Sequence, residues 1–108
     1  MQQRQSVRFQ IRLPVISRWI DEQAGDRQCG GFTRDISRHG LFAYSLDPPP
    51  LGATVEFEVM LPALEPAGHG VRLRSFGRVL RVEQEEETRT GFAATGEFDL
   101  PSSHELEW

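Results

Sequence analysis

Thr54-Val-Glu-Phe-Glu-Val-Met-Leu61 places Val55, Phe57, Val59 and Leu61 on one face and Glu56 and Glu58 on the other. A period of two belongs to a strand, whose successive side chains point to opposite faces, and not to a helix. One side of this segment meets a core and the other meets water. The same reading extends in both directions. Pro14 to Asp21 makes a first strand and Phe32 to Ile36 a second. Leu41 to Ser45 follows at once, so Ser37-Arg-His-Gly40 is the turn between them. Val71 to Val82 is a long strand whose alternation slips near Ser75-Phe76-Gly77, which predicts a bulge or bend with Gly77 as the hinge. Thr90 to Phe98 closes the set, with Phe92, Ala94, Gly96 and Phe98 on one face.

The breaks between these runs are equally readable. Gly25-Asp26 suits a turn, and Asp47-Pro-Pro-Pro-Leu-Gly52 is a stiff connector that has no place inside a sheet. Pro62 to Gly70 is a loop, and Glu83-Gln-Glu-Glu-Glu87 is a solvated hairpin tip. Ser102-Ser-His-Glu105 has the form of a helix capping box, but only three residues follow it, so at most one turn forms. Six short strands without a convincing helix predict an all-β fold, a small six-stranded antiparallel barrel. Closure removes the edges that would otherwise pair with other chains.

Composition narrows the function. The 108 residues suit one domain with one core. No apolar run approaches the roughly 20 residues that span a bilayer, and the start lacks the apolar middle of a signal peptide, so no membrane insertion and a cytoplasmic location are expected. The single Cys29 excludes an internal disulfide and a cysteine metal site. Net charge is −4, against the basic surface of a nucleic-acid binder. Residues 1–20 hold Arg4, Arg8, Arg12 and Arg18 and no acid, so that segment is +4 and the remainder −8. A basic arm on an acidic body reads as a local anion site.

Two short segments carry the chemistry. Arg4 and Arg8, in Arg4-Gln-Ser-Val-Arg8, lie about 13 Å apart on an extended chain at roughly 3.3 Å per residue. Pro14 favours extension at Leu13 and discourages a helix. Each guanidinium can clamp phosphate oxygens, hydrogen-bond guanine O6 and N7, or stack on a purine. Asp35 adds an acceptor for the N1–H and N2–H donors that distinguish guanine from adenine. Ser37 offers a hydroxyl, and Gly40 permits a backbone angle and a close approach that a side chain would forbid. His39, His69 and His104 lie on separate loops without a ligand partner, so no metal or other cofactor is expected. No general acid–base pair suits phosphodiester cleavage, so no enzyme is expected. Trp19 belongs to the core or barrel rim. Phe42 and Tyr44 alternate with Leu41 and Ala43, so one pair faces outward, where an aromatic pair would receive a partner.

The pairing of Arg4-x-x-x-Arg8 with Asp35-x-Ser37-x-x-Gly40, about 30 residues later, resembles the RxxxR and [D/N]xSxxG signature of the PilZ domain family. The flanks agree. Arg8-Phe-Gln-Ile-Arg-Leu-Pro-Val15 is similar to the family's run into its first strand, and Gly77-Arg-Val-Leu-Arg-Val82 with Gly91-Phe-Ala-Ala94 resembles its closing hairpin. The resemblance covers about residues 3 to 98. It implies a PilZ barrel over 13–99, a flexible arm over 1–12, a short tail over 100–108, and a stand-alone member of the family. It implies a cyclic di-GMP receptor with Arg4 and Arg8 as the clamp, Asp35 and Ser37 as barrel-side contacts and Gly40 as the enabling turn residue. Gln3 occupies the position associated with one bound ligand or a stacked pair, and Arg12, Arg34, Arg38 and Arg78 are candidate further phosphate contacts. Ligand binding is expected to order the arm, because Arg4 and Arg8 would gain partners only then, and a downstream protein would read the change. The alternatives are a PilZ-fold adaptor in pilus or motility machinery with weak or no nucleotide binding, and a small barrel for single-stranded nucleic acid, which the acidic body argues against.

Overall fold

The structure is a computed structural model that describes residues 7–63 and 68–100. Six strands, β1 (Pro14–Asp21), β2 (Gly25–Ser37), β3 (Gly40–Ser45), β4 (Thr54–Leu61), β5 (Val71–Glu86) and β6 (Arg89–Thr95), close into an antiparallel barrel in the order β1-β2-β3-β6-β5-β4. The expected all-β barrel is therefore the fold, and no helix occurs among the described residues. The expected capping box at Ser102–Glu105 lies outside them. Among them, no helix is long and apolar enough to cross a membrane.

The core is the inward half of each alternating run. Val55, Phe57 and Val59 of β4 meet Val15 and Trp19 of β1 and Phe92 and Ala94 of β6. Phe57 stacks on Phe92 with ring centroids 6.2 Å apart and lies 6.5 Å from Phe98. Such pairs add about 0.5–1.5 kcal/mol beyond the apolar area they bury.

Several local expectations change. β2 starts at Gly25, seven residues before the expected Phe32, and the turn lies over residues 22–24. There the Asp21 carboxylate accepts the N–H groups of Gln23 and Ala24 at 2.8 and 2.9 Å. The expected slip at Ser75-Phe76-Gly77 is absent, since β4 and β5 pair without interruption from Leu61↔Val71 to Thr54↔Arg78. Phe76 broke the sequence pattern because it is a large apolar side chain on the outward face, 70% exposed. The irregularity falls between Val79 and Arg81, where β5 has passed from β4 to β6. Gly77 sits just before this handover for a steric reason: a Cβ there would come within 1.6 Å of the Thr95 carbonyl oxygen.

The hairpin between β5 and β6 is longer than expected, with only Glu87 and Thr88 at its tip. β6 ends at Thr95, three residues before the expected Phe98. Burial nevertheless alternates on through Gly96, Phe98 and Leu100. The N–H groups of Gly96 and Phe98 leave the ladder and donate to the His39 and Arg38 carbonyls at 3.0 and 2.9 Å. They tie the chain to the β2–β3 turn.

Candidate functional site

A bulge builds the site. Thr33 pairs with Ala43, but the next pair is Asp35 with Phe42, leaving Arg34 as the extra residue. In an unbulged strand of this sequence, Asp35 would share the inward face of Thr33. With the bulge, Ile36 enters the core opposite Leu41, and Asp35 turns to the outer face beside Phe42. Re-aiming side chains in this way is what a bulge does.

The chain preceding β1 runs along the same half of β2. Phe9 and Ile36 exchange backbone hydrogen bonds of 2.7 and 2.9 Å. The Thr33 hydroxyl donates to the Ile11 carbonyl at 2.6 Å and accepts the Leu13 N–H at 2.9 Å. Arg8 is thereby delivered above Asp35, and its Nη1 pairs with Asp35 Oδ1. Arg34 Nε donates to the other oxygen, Oδ2, at 2.7 Å, while its guanidinium lies 3.9 Å from the centre of the Phe42 ring. The Asp35 bond, the largest influence on it, raises the Arg34 pKa further above its already high ordinary value.

Arg8, Arg34, Ser37, Gly40 and Phe42 line one cleft of about 310 Å³, closed on the far side by Arg81 and by Ala93 to Thr95 of β6. Ser37 is buried; its hydroxyl accepts the His39 N–H at 3.2 Å and donates to the Gly40 carbonyl at 3.4 Å. The expectation that Gly40 serves an unusual backbone angle is corrected, because its φ is not positive. It serves close approach instead: a Cβ there would lie 2.5 Å from the Ala94 carbonyl oxygen.

The remaining candidates separate. Gln3 and Arg4 lie outside the described residues. Arg12 covers the Phe32 ring at 4.3 Å and does not line the cleft. Arg38 sits exposed in the turn, where its carbonyl receives Phe98. Arg78 is on β5 opposite Thr54, away from the cleft. Sequence reasoning missed Arg81, which approaches Phe42 to 5.9 Å and pairs with Glu83. Its position depends on the β5–β6 pairing, which no local pattern encodes. The outward aromatics are only partly as expected. Tyr44 is half-buried, bonded to Glu85 at 3.1 Å, whereas Phe42 is buried on the outer face beneath its arginines. Arg8 also differs from expectation, since it has a partner within the chain, Asp35.

The site is thus a cationic cleft beside a buried carboxylate and a glycine turn on a closed six-stranded barrel. The chain belongs to the PilZ domain family, whose model matches residues 2–106. PilZ domains are cyclic di-GMP-binding and adaptor domains, not enzymes. Among solved structures it is similar to the Bacillus subtilis inhibitor of motility, MotI/DgrA, with a TM-score of 0.66 and 18% identity. That match covers 97% of this chain and 46% of the other, so this chain spans about half the neighbour's length. Comparison with curated proteins gives no match.

Proposed function

We propose that this protein is a cyclic di-GMP receptor that binds the nucleotide in the cleft between Arg8 and the β2–β3 turn and signals to a partner protein. The supporting observation is convergence: Arg8, 29 residues before Ser37 in sequence, lines one opening with Ser37 and Gly40 and is held there by the buried Asp35 at its edge. Asp35 uses one lone pair of each oxygen for Arg8 and Arg34, and a carboxylate offers about four such sites, so it retains acceptor capacity for a guanine edge. Arg8 and Arg34 each keep N–H donors for phosphate. The cleft lies at the lower end of the roughly 300–1,000 Å³ range of small-molecule pockets. It suits one base and its phosphate, with the rest of the ligand lying toward the arm that carries Arg4. Gln3 would then bear on whether one ligand or a stacked pair is held. A small soluble receptor of this kind acts in the cytoplasm.

Calorimetric titration of cyclic di-GMP into the wild type and Arg8→Ala tests the reading. Micromolar or tighter binding in the wild type, lost in the variant, is expected. Absence of heat in the wild type would overturn it and favour the adaptor reading, for which the neighbour described as an inhibitor of motility is the precedent.

A further inference from the structure

The side of the barrel away from the cleft carries a second constellation. Across β2, β1, β4 and β5, Gln28, Arg18, Glu56 and Phe76 pair in one continuous row. The adjacent row runs through Ile16, Glu58 and Arg74. Glu58 is buried on this outer face, and Arg18, Arg72 and Arg74 converge on it at 3.4, 3.5 and 3.3 Å. One carboxylate thus anchors three guanidiniums, each keeping N–H groups directed to solvent. With Arg78, Glu56 and Asp26 the face holds four arginines against three acids, a local +1 on a chain of −4.

Beside the arginines lies a groove of about 840 Å³, walled by Arg18, Ile20, Asp26, Thr54, Glu56 and Phe76. Ile20 and Phe76, on two walls of the groove, are 78% and 70% exposed. Arginine and exposed aromatic side chains around a concavity are the composition of protein interface centres.

The geometry points to this four-strand face as the docking surface for a partner protein, one presenting an acidic segment with a large apolar side chain. The acids would meet Arg72 and Arg74, and the apolar side chain would enter the groove between Ile20 and Phe76. Concavity and the two embedded glutamates favour a shaped protein segment over an anionic lipid surface. In the strand order, β1 and β4 lie opposite β3 and β6, so this face stays open when the cleft is filled. The inference rests on the receptor reading only in naming the partner that reading requires.

The test is amide chemical-shift mapping on the full-length chain with three short peptide probes. One carries glutamates with leucine and phenylalanine, a second has lysine for each glutamate, and a third has alanine for each large apolar residue. Anionic phosphatidylglycerol vesicles and a protein dilution series are run beside them. Shifts confined to residues around Arg18, Ile20, Glu56 and Phe76, with the acidic apolar peptide alone, are expected. Phe76→Ser and Arg72→Glu, both at exposed positions, should weaken binding by at least about tenfold each without changing cyclic di-GMP titration. No shift on this face, equal binding of the lysine peptide, a response only to vesicles, or self-association through this face would each overturn it. Peptide failure with nucleotide binding intact refutes this inference alone; nucleotide failure alone refutes the receptor.

Discussion

Arg34 is fixed by its neighbour Asp35: Nε lies 2.7 Å from Oδ2, and the guanidinium plane is held over Phe42 as a result. The bulge makes this possible, because Arg34 is the unpaired residue and Asp35 the next paired one. With Arg8 on the other oxygen, the buried carboxylate organises two half-exposed arginines. Ligand binding at this cleft would therefore redistribute existing contacts of Arg8.

Asp35→Ala should destabilise the fold by about 1–2 kcal/mol, since the orphaned arginines can return to water while the buried acceptor is lost. Cyclic di-GMP binding should fall below detection. Urea denaturation and calorimetry on the same samples separate the two effects.

Gly77→Ala should cost about 1–3 kcal/mol, because the new methyl meets the Thr95 carbonyl oxygen and the barrel backbone must shift. Gly30→Ala, where a Cβ finds nothing within 4 Å, is the matched control and should stay close to wild type in thermal melts.

Phe57→Ala should cost about 3–5 kcal/mol, as it removes the ring that contacts both Phe92 and Phe98 at the centre of the core. Denaturant midpoints at constant m-value would show it.

Burial pushes the Glu58 carboxyl up, but the Arg74 hydrogen bond, Arg72 and Arg18 outweigh it and hold it below its ordinary value of 4.5. A depressed folded-state pKa means that the contribution is present above 4.5 and is lost as pH falls below it toward the folded value. Melting temperature should therefore drop on acidification through that window, and drop less in Glu58→Gln.

How much of this was readable in the sequence depends on what holds each element. Thr54–Leu61 and Pro14–Asp21 match their expected bounds because each alternates against a core face. The first half of β2, Gly25 to Gly31, is glycine-rich and polar, and it is a strand only because β1 supplies a continuous ladder. The glutamates at the end of β5 read as a tip but extend a hairpin, with Arg89 paired to Glu85 and Glu86. The motif residues at the site were visible. Their geometry was not, since the bulge at Arg34 and the crossing that brings Arg81 to Phe42 exist only once the strands are in register.

If Asp35 reads guanine beside the arginine-lined cleft, the site discriminates between purine cyclic dinucleotides. Calorimetric titration of cyclic di-GMP and cyclic di-AMP into the wild type and Asp35→Asn should show a wild-type preference for the guanine ligand of at least about 100-fold, or roughly 2.7 kcal/mol. That preference should collapse in the variant, because an amide presents fewer acceptor sites to N1–H and N2–H. Equal affinity of the wild type for both nucleotides, or a preference undiminished in Asp35→Asn, would show that Asp35 does not read guanine.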